Sequence, residues 1–201
     1  MSNGYLFLFF AVGAAMGSAG AYVLGCVFLS SGPTSLGLWA FLRIALAGAL
    51  MAAAGGVIDR SFKKLLTGSI TGALALVIIL LLMQNAGSGN METDFFIAFI
   101  LALAGGVGAL LSIMYSLMDE AYYGLSYAAI LGAIGGLIGL ALGFFLVAGP
   151  AVNMAMLVTF GALYGGCVWI AVGFSKKLEI IEFQESRQGE EKARNHDTPA
   201  T

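Results

Sequence analysis

Six long apolar stretches constrain this chain more than any other feature of its sequence. A helix needs about 20 apolar residues, each rising about 1.5 Å, to cross the roughly 30 Å of hydrocarbon in a bilayer. The stretches are too long for strands and lack alternating polarity. The sequence therefore predicts an all-α polytopic membrane protein with about six transmembrane helices and short loops. These run approximately Gly4–Leu29, Ser35–Ile58, Leu65–Gln84, Phe95–Met118, Tyr123–Ala148 and Ala151–Phe174.

The composition indicates that lipid is the main solvent of this chain. Of 201 residues, 60% are hydrophobic and 10% are charged, whereas soluble domains are close to half apolar and a quarter charged. A core of this length cannot bury so much apolar surface. The formal net charge of −2 gives no basic excess that would attract nucleic acid. We therefore expect membrane lipid, and no nucleic acid, as a partner.

The placement of lysine and arginine predicts the orientation of the helices. Arg60, Lys63 and Lys64 lie between the second and third stretches, and Lys176 and Lys177 follow the sixth. With six spans, these two regions and both termini share one side, and the connections on the opposite side carry no basic residue. The positive-inside rule assigns the basic side to the cytoplasm. We expect an integral protein of a bacterial inner (cytoplasmic) membrane with both termini inside.

The two ends of the chain need separate interpretations. A cleaved signal peptide is the alternative for the first stretch, but residues 1–5 have no basic side chain, which favours a retained helix. Residues 1–177 form the predicted six-helix transmembrane domain, and residues 178–201 form a cytoplasmic tail. Leu178 and Ile181 indicate a short amphipathic extension of the last helix, with fraying as the alternative. From about Ser186 the polar composition predicts disorder.

Many of the 29 glycines recur at intervals of four within the apolar stretches. Residues four apart share one helix face, and small residues on one face let helix backbones approach closely in lipid. Helix packing is the simplest interpretation. An oligomer interface, or glycines that let a helix bend or leave room for a solute, are the functional alternatives. The helix-packing candidates are Gly13, Gly17, Gly25, Gly68, Gly72, Gly135, Gly139, Gly143, Gly161 and Gly165.

Ionisable residues within membrane helices usually indicate function, and here only Arg43 lies clearly inside a stretch. Its long side chain can snorkel to the outer interface, or it can face the helix bundle and meet a carbonyl, a tyrosine or an anionic group. Asp119 and Glu120 follow the fourth stretch. This pair could contact a basic group of a partner or a cation, although a solvated turn is the commoner role of such a pair.

The residue types missing from the apolar stretches exclude several mechanisms. They contain no lysine for a retinal Schiff base, no histidine for haem or metal, and no aspartate or glutamate for proton or sodium coupling. A Ser-His-Asp triad cannot be assembled, and Cys26 and Cys167 do not have metal-site spacing. We expect no enzymatic activity, no cofactor and no metal site.

Three classes of function remain. The first is a non-catalytic, tightly packed subunit or oligomeric scaffold of a larger membrane complex, with other subunits or copies of itself as partners. The second is a small channel or facilitator for a neutral or anionic solute. An offset of 89 residues, which aligns Gly17 with Gly106, permits an inverted three-plus-three repeat of the kind found in transporters. The third is a membrane-perturbing effector or regulator that acts with a cytoplasmic partner.

Overall fold

All the secondary structure that we describe is α-helical, as the apolar stretches predict. The structure, a computed structural model, describes residues 3–30, 38–86, 93–118, 125–147 and 153–196. Five of the six helices contain segments long and apolar enough to cross a membrane, and α4 contains the shorter apolar segment Leu103–Met118. The helices are α1 (Asn3–Ser30), α2 (Leu38–Ile58), α3 (Phe62–Ala86), α4 (Thr93–Met118), α5 (Leu125–Val147) and α6 (Met154–His196).

The six helices form a ring in which neighbours in sequence are neighbours in space. Helix α1 packs against α2 and, most extensively, against α6, so the first and last helices close the ring. Close contacts also join α2 with α3, α4 with α5, and α5 with α6. Helices α3 and α4 contact each other sparsely. We refer to this thinly packed boundary as the α3–α4 seam.

Small residues form the crossings of three antiparallel helix pairs. A side chain on Gly17 of α1 would collide with the carbonyl oxygen of Gly161 on α6, and one on Gly13 would collide with that of Gly165. Such close approach replaces the hydrophobic force that lipid does not supply. The other crossings pair Gly48 with Gly72 and Ala52 with Gly68 (α2 and α3), and Gly108 with Gly132 and Ala104 with Gly136 (α4 and α5).

The remaining glycines that the sequence singles out are also buried at helix contacts. Gly25 of α1 lies against Met154 and Leu157 of α6. The α5 series meets α6 along its length, where Gly135 faces Ala171, Gly139 faces Tyr164 and Gly143 faces Phe160. These glycines therefore join helices within one chain. Whether any of them also serves an interface between chains stays a prediction.

An aromatic cluster occupies the centre of the ring toward one end. Phe9, Tyr115 and Trp169 are almost fully buried, and the Tyr115 and Trp169 rings meet edge to face with centroids 5.6 Å apart. The indole Nε1 of Trp169 donates to the carbonyl oxygen of Met51, 3.2 Å away. In contrast, large apolar side chains such as Phe145 and Phe62 are 86% and 78% exposed. An exterior of this kind suits lipid contact.

Helix α6 is longer than the sequence analysis predicts. The composition from about Ser186 predicts disorder, whereas the structure continues α6 as far as His196. Glutamate, glutamine, lysine and arginine, which are frequent in this segment, are good helix formers. Local helix propensity can therefore continue this segment where composition alone predicts disorder.

Two glycines that the internal repeat aligns have different surroundings in the structure. Gly17 and Gly106 are aligned by the offset of 89 residues, yet Gly17 packs on Gly161 while Gly106 faces open space. The repeat equates the α1–α6 boundary with the α3–α4 boundary. The former is the most extensive contact of the ring and the latter is the seam. The described helices therefore depart from two-fold symmetry at this boundary.

Candidate functional site

The turn between α2 and α3 brings charged side chains to one end of the ring. Helix α2 ends with the amide of Ser61 donating to the carbonyl of Gly56 at 3.0 Å, while Arg60 adopts a left-handed conformation with φ of 51°. This pattern is a Schellman-type helix end, in which a left-handed residue satisfies the last carbonyls. Ser61 then caps α3, since its carbonyl accepts from the amide of Leu65 at 3.0 Å.

Asp59 is the centre of a cluster of polar side chains from three other helices. Its carboxylate accepts hydrogen bonds from Lys64 Nζ at 2.5 Å and from the Tyr115 hydroxyl at 2.7 Å. Lys176 Nζ lies 3.6 Å from the second carboxylate oxygen. The side chain of Asp59 is 16% exposed, and those of Lys64 and Lys176 are 17% and 25% exposed. We call these four residues the Asp59 cluster.

Tyr115 links the charges of the Asp59 cluster to the aromatic centre of the ring. The ammonium groups of Lys64 and Lys176 lie 5.3 Å and 5.1 Å from the centroid of its ring, within the range of cation–π attraction. Lys176 also donates to the Tyr115 hydroxyl at 3.3 Å. Phe9 meets the edge of the same ring on the interior side. The cluster therefore joins α2, α3, α4 and α6 above a packed interior.

The carboxyl group of Asp59 is held in its ionised form. Burial alone would raise its pKa, but hydrogen bonds from Lys64 and Tyr115 and the positive charge of Lys176 outweigh burial, so the pKa of Asp59 lies below its ordinary value of 3.8. Asp59 therefore stays charged across the physiological pH range. A carboxylate of this kind serves as a fixed counter-ion rather than as a proton carrier.

The chemistry available to the cluster is electrostatic. Lysine ammonium groups, a tyrosine hydroxyl and an ionised carboxylate can hold helices together or contact charged groups at the membrane surface. In the part of the chain that the structure describes, no three histidine, cysteine, aspartate or glutamate side chains are grouped to hold a metal ion.

The two predicted polar sites lie apart from this cluster or outside the described residues. Arg43 is exposed on α2, 16 residues before Asp59, which is about 24 Å along a helix axis. It thus lies toward the opposite end of α2 and faces outward. Asp119 and Glu120 fall outside the described residues, so their partner contact stays a prediction.

Sequence reasoning missed the Asp59 cluster because its members read as separate features. Asp59 and Lys64 belong to a charged loop, Lys176 marks the end of the last span, and Tyr115 is one of seven tyrosines in the chain. The available signal is that Asp59, Lys64, Tyr115 and Lys176 all lie near span ends on the same predicted side. Residue types and topology thus indicate that the four residues lie near the same side of the membrane. They do not indicate that the helices carrying them are adjacent.

A groove follows the α3–α4 seam on the outside of the ring. It encloses about 510 Å³. Its α3 wall includes Leu74 and Ile78, and its α4 wall includes Leu103 and Leu110. The hydroxyl of Thr71 lines one end and donates to the carbonyl of Thr67 at 2.8 Å. The groove is therefore almost wholly apolar.

A smaller cavity of about 210 Å³ lies where α1, α2 and α6 meet, lined by residues that include Met51, Leu157 and Tyr164. The Tyr164 hydroxyl donates to the carbonyl of Ala104 on α4 at 2.7 Å. This bond joins two helices across the ring. The residues that line the two cavities carry no charged side chain.

Comparison of the chain with protein-family models, with curated proteins and with solved structures finds no significant match in any of the three.

Proposed function

We propose that this chain is a non-catalytic integral membrane protein that acts as a tightly packed subunit or scaffold of a larger membrane assembly. All six helices cross the membrane in this proposal, and the end of the ring that carries the Asp59 cluster faces the cytoplasm with both termini. A bacterial inner membrane is the expected location. The observation that carries the proposal is a ring whose neighbouring helices meet at close glycine crossings and whose centre, toward the Asp59 cluster, holds packed aromatic side chains.

The close helix crossings and the aromatic centre favour a structural role over transport. Gly17 against Gly161 and Gly108 against Gly132 leave no room for an added methyl group between their helices. Phe9, Tyr115 and Trp169 occupy the centre toward the Asp59 cluster. A passage for a polar solute needs polar side chains or water along its length, and these contacts supply apolar surface instead.

The exterior offers the surface through which a scaffold would act. Exposed apolar side chains continue along α3 and α5, including Leu74, Ile78 and Ile130. In lipid, such faces can contact acyl chains or neighbouring helices by van der Waals packing. Basic residues at the end with the Asp59 cluster support the cytoplasmic orientation of that end.

The proposal is tested by isolating the protein from its native membrane at its natural abundance. A C-terminal affinity tag and a mild detergent are used, and the mass of the complex is measured by native mass spectrometry. We expect a complex of fixed stoichiometry that contains other subunits or further copies of this chain. The same preparation from membranes that contain the untagged chain is the control, because it shows which proteins are recovered without specific binding.

Two outcomes contradict this proposal. A lone monomer recovered from native membranes across several mild detergents contradicts a role as a subunit or scaffold. Solute or ion flux in liposomes that contain the purified chain alone, absent from empty liposomes, supports the channel or facilitator alternative instead.

A further inference from the structure

We propose that the α3–α4 seam is a binding site for an anionic phospholipid, with an acyl chain in the groove and the phosphate near Lys63. The inference rests on the proposed membrane embedding of the helices. It assigns an occupant to the boundary at which the ring is least closed. Three features of the seam carry it: the apolar, recessed walls of the groove, the order of side chains along α3, and the exposed positive charge at the start of α3.

The groove offers an apolar wall to an acyl chain. Its α3 wall extends from Thr71 to Ile79, about 12 Å at 1.5 Å per residue, and the groove has a volume of about 510 Å³. A hydrocarbon chain is much narrower than a helix and has no polar backbone groups. The apolar lining suits it.

Gly106 gives the α4 wall an unusual shape. Most described glycines in this chain would place an added Cβ against a neighbouring atom, whereas a Cβ at Gly106 would meet nothing within 4 Å. The glycine lies in the wall of the groove beside Val107 and Leu110. The absent side chain leaves a recess in the wall, and an acyl chain can occupy this recess.

One face of α3 has the polarity order of a phospholipid. Residues at intervals of three or four lie on the same face of a helix. The order begins with an exposed cation, continues with two hydroxyls and ends with aliphatic side chains. From the first residue to the last the rise is about 22 Å, close to half of the roughly 40–45 Å thickness of a bilayer with its headgroups. These residues are Lys63, Thr67, Thr71, Leu74 and Ile78.

The charge at the start of this face selects a negative headgroup. Lys63 is exposed, and Arg60 in the preceding turn is exposed as well. Asp59, the acidic residue in that turn, already accepts hydrogen bonds from Lys64 and Tyr115. Each basic residue near an anionic lipid surface contributes about a fivefold gain in binding. Phosphatidylglycerol should therefore bind in preference to phosphatidylcholine.

The test measures lipid retention on the purified full-length protein. The protein is exchanged into detergent, incubated with phosphatidylglycerol or phosphatidylcholine, and examined by native mass spectrometry. We expect phosphatidylglycerol to be retained at least about fivefold more strongly than phosphatidylcholine. Lys63→Gln together with Arg60→Gln should weaken phosphatidylglycerol retention roughly thirtyfold, whereas Lys177→Gln on α6 should have little effect.

A second pair of variants tests the groove independently of charge. Gly106→Leu fills open space, so it should leave the thermal stability unchanged or higher while it displaces the acyl chain and lowers retention of phosphatidylglycerol. Ala141→Leu adds the same side chain to an exposed position on α5 and should leave retention unchanged. If the Gly106→Leu variant folds normally and retains phosphatidylglycerol as the native chain does, the groove is not part of the lipid-binding site.

Other outcomes also overturn the inference and separate it from the proposed function. Equal retention of the two lipids by a protein that still requires detergent rejects the lipid site alone. Release of the chain from membranes by alkaline carbonate rejects the membrane embedding, and with it both proposals. Gly106→Cys, in a background with Cys26→Ala and Cys167→Ala, forming a disulfide-linked dimer in membranes would assign the groove to a second copy.

Discussion

The hydroxyl of Tyr115 donates to Asp59 while its ring contacts two lysines. Removing the hydroxyl oxygen therefore separates the contribution of hydrogen bonding to stability from that of the cation–π contacts. Tyr115→Phe keeps the ring and the cation–π contacts but removes the 2.7 Å hydrogen bond to the carboxylate and the longer, 3.3 Å hydrogen bond from Lys176. Hydrogen bonds to charged groups contribute about 1.5–3 kcal/mol, and we expect a loss of about that size. Thermal unfolding in detergent, followed by tryptophan fluorescence, measures it. Tyr127→Phe, at a half-exposed tyrosine of α5, should change stability by less than about 0.5 kcal/mol.

The depressed pKa of Asp59 predicts how the stability of the cluster depends on pH. The pKa of this carboxyl in the folded state lies below its unfolded value of 3.8. The ionised group therefore stabilises the fold at pH values above 3.8, and this contribution is lost as the pH falls through the folded pKa. Asp59→Asn should therefore destabilise the protein at neutral pH. The difference from the native chain should shrink below pH 3.8 and vanish in stronger acid. Melting temperatures of both proteins across this range measure the difference. A difference that grows in acid would contradict the assignment.

Arg60 is a non-glycine residue in the left-handed region, with φ of 51°. Because this conformation costs an L-residue about 1–2 kcal/mol, Arg60→Gly should raise the free energy of unfolding by roughly 1 kcal/mol. Lys63→Gly removes an equal charge from the first turn of α3, where glycine instead costs about 1 kcal/mol. Chemical denaturation of the two variants should thus give changes of opposite sign. Changes of the same sign would indicate that charge, rather than backbone conformation, dominates.

At the scale of helices, the same substitution should have opposite effects at two glycines that the repeat aligns. Gly17→Ala places a methyl group against the carbonyl of Gly161, whereas Gly106→Ala enters open space. Overpacking costs about 1–3 kcal/mol or more, while replacing an unneeded helix glycine gains about 0.5–1 kcal/mol. Melting temperatures of the two variants in one detergent measure the contrast. Equal tolerance of both substitutions would contradict the close α1–α6 crossing.

The sequence predicts the elements well because each helix is specified locally. Apolar length identifies all six helices. Apart from the C-terminal end of α6, their observed bounds differ by only a few residues from those expected, as with α2 beginning at Leu38 rather than Ser35. The intervals of four also identify glycines that the structure buries at helix contacts. Local rules fail where partners are distant: Tyr115 is 56 residues from Asp59, and nothing in either segment indicates that their helices adjoin.

For the whole molecule, the closely packed α1–α6 boundary and the sparsely packed α3–α4 seam are the two extremes of helix contact around the ring. The first and last helices meet at two pairs of glycines, while α3 and α4, joined directly in sequence, barely contact each other. Chain connectivity holds α3 near α4, so this boundary can stay assembled although the two helices contact each other sparsely. The α1–α6 boundary has no such link and depends on close packing. The seam is therefore the place at which the ring can accept a lipid without losing its fold.

The topology of the whole chain gives the last prediction. Six spans would place both termini on one side, and by the positive-inside rule Arg60, Lys63 and Lys64 predict that this side is the cytoplasm. Single cysteines at Ser2, Gly32, Ser88 and Thr198, in a background with Cys26→Ala and Cys167→Ala, can be labelled with a membrane-impermeant maleimide. In intact cells, only the variants at Gly32 and Ser88 should react, and all four should react after permeabilisation. Reaction at one terminus alone would mean an odd number of spans. Reaction at both termini with none at Gly32 and Ser88 would mean that the ring is inverted and the Asp59 cluster faces outward.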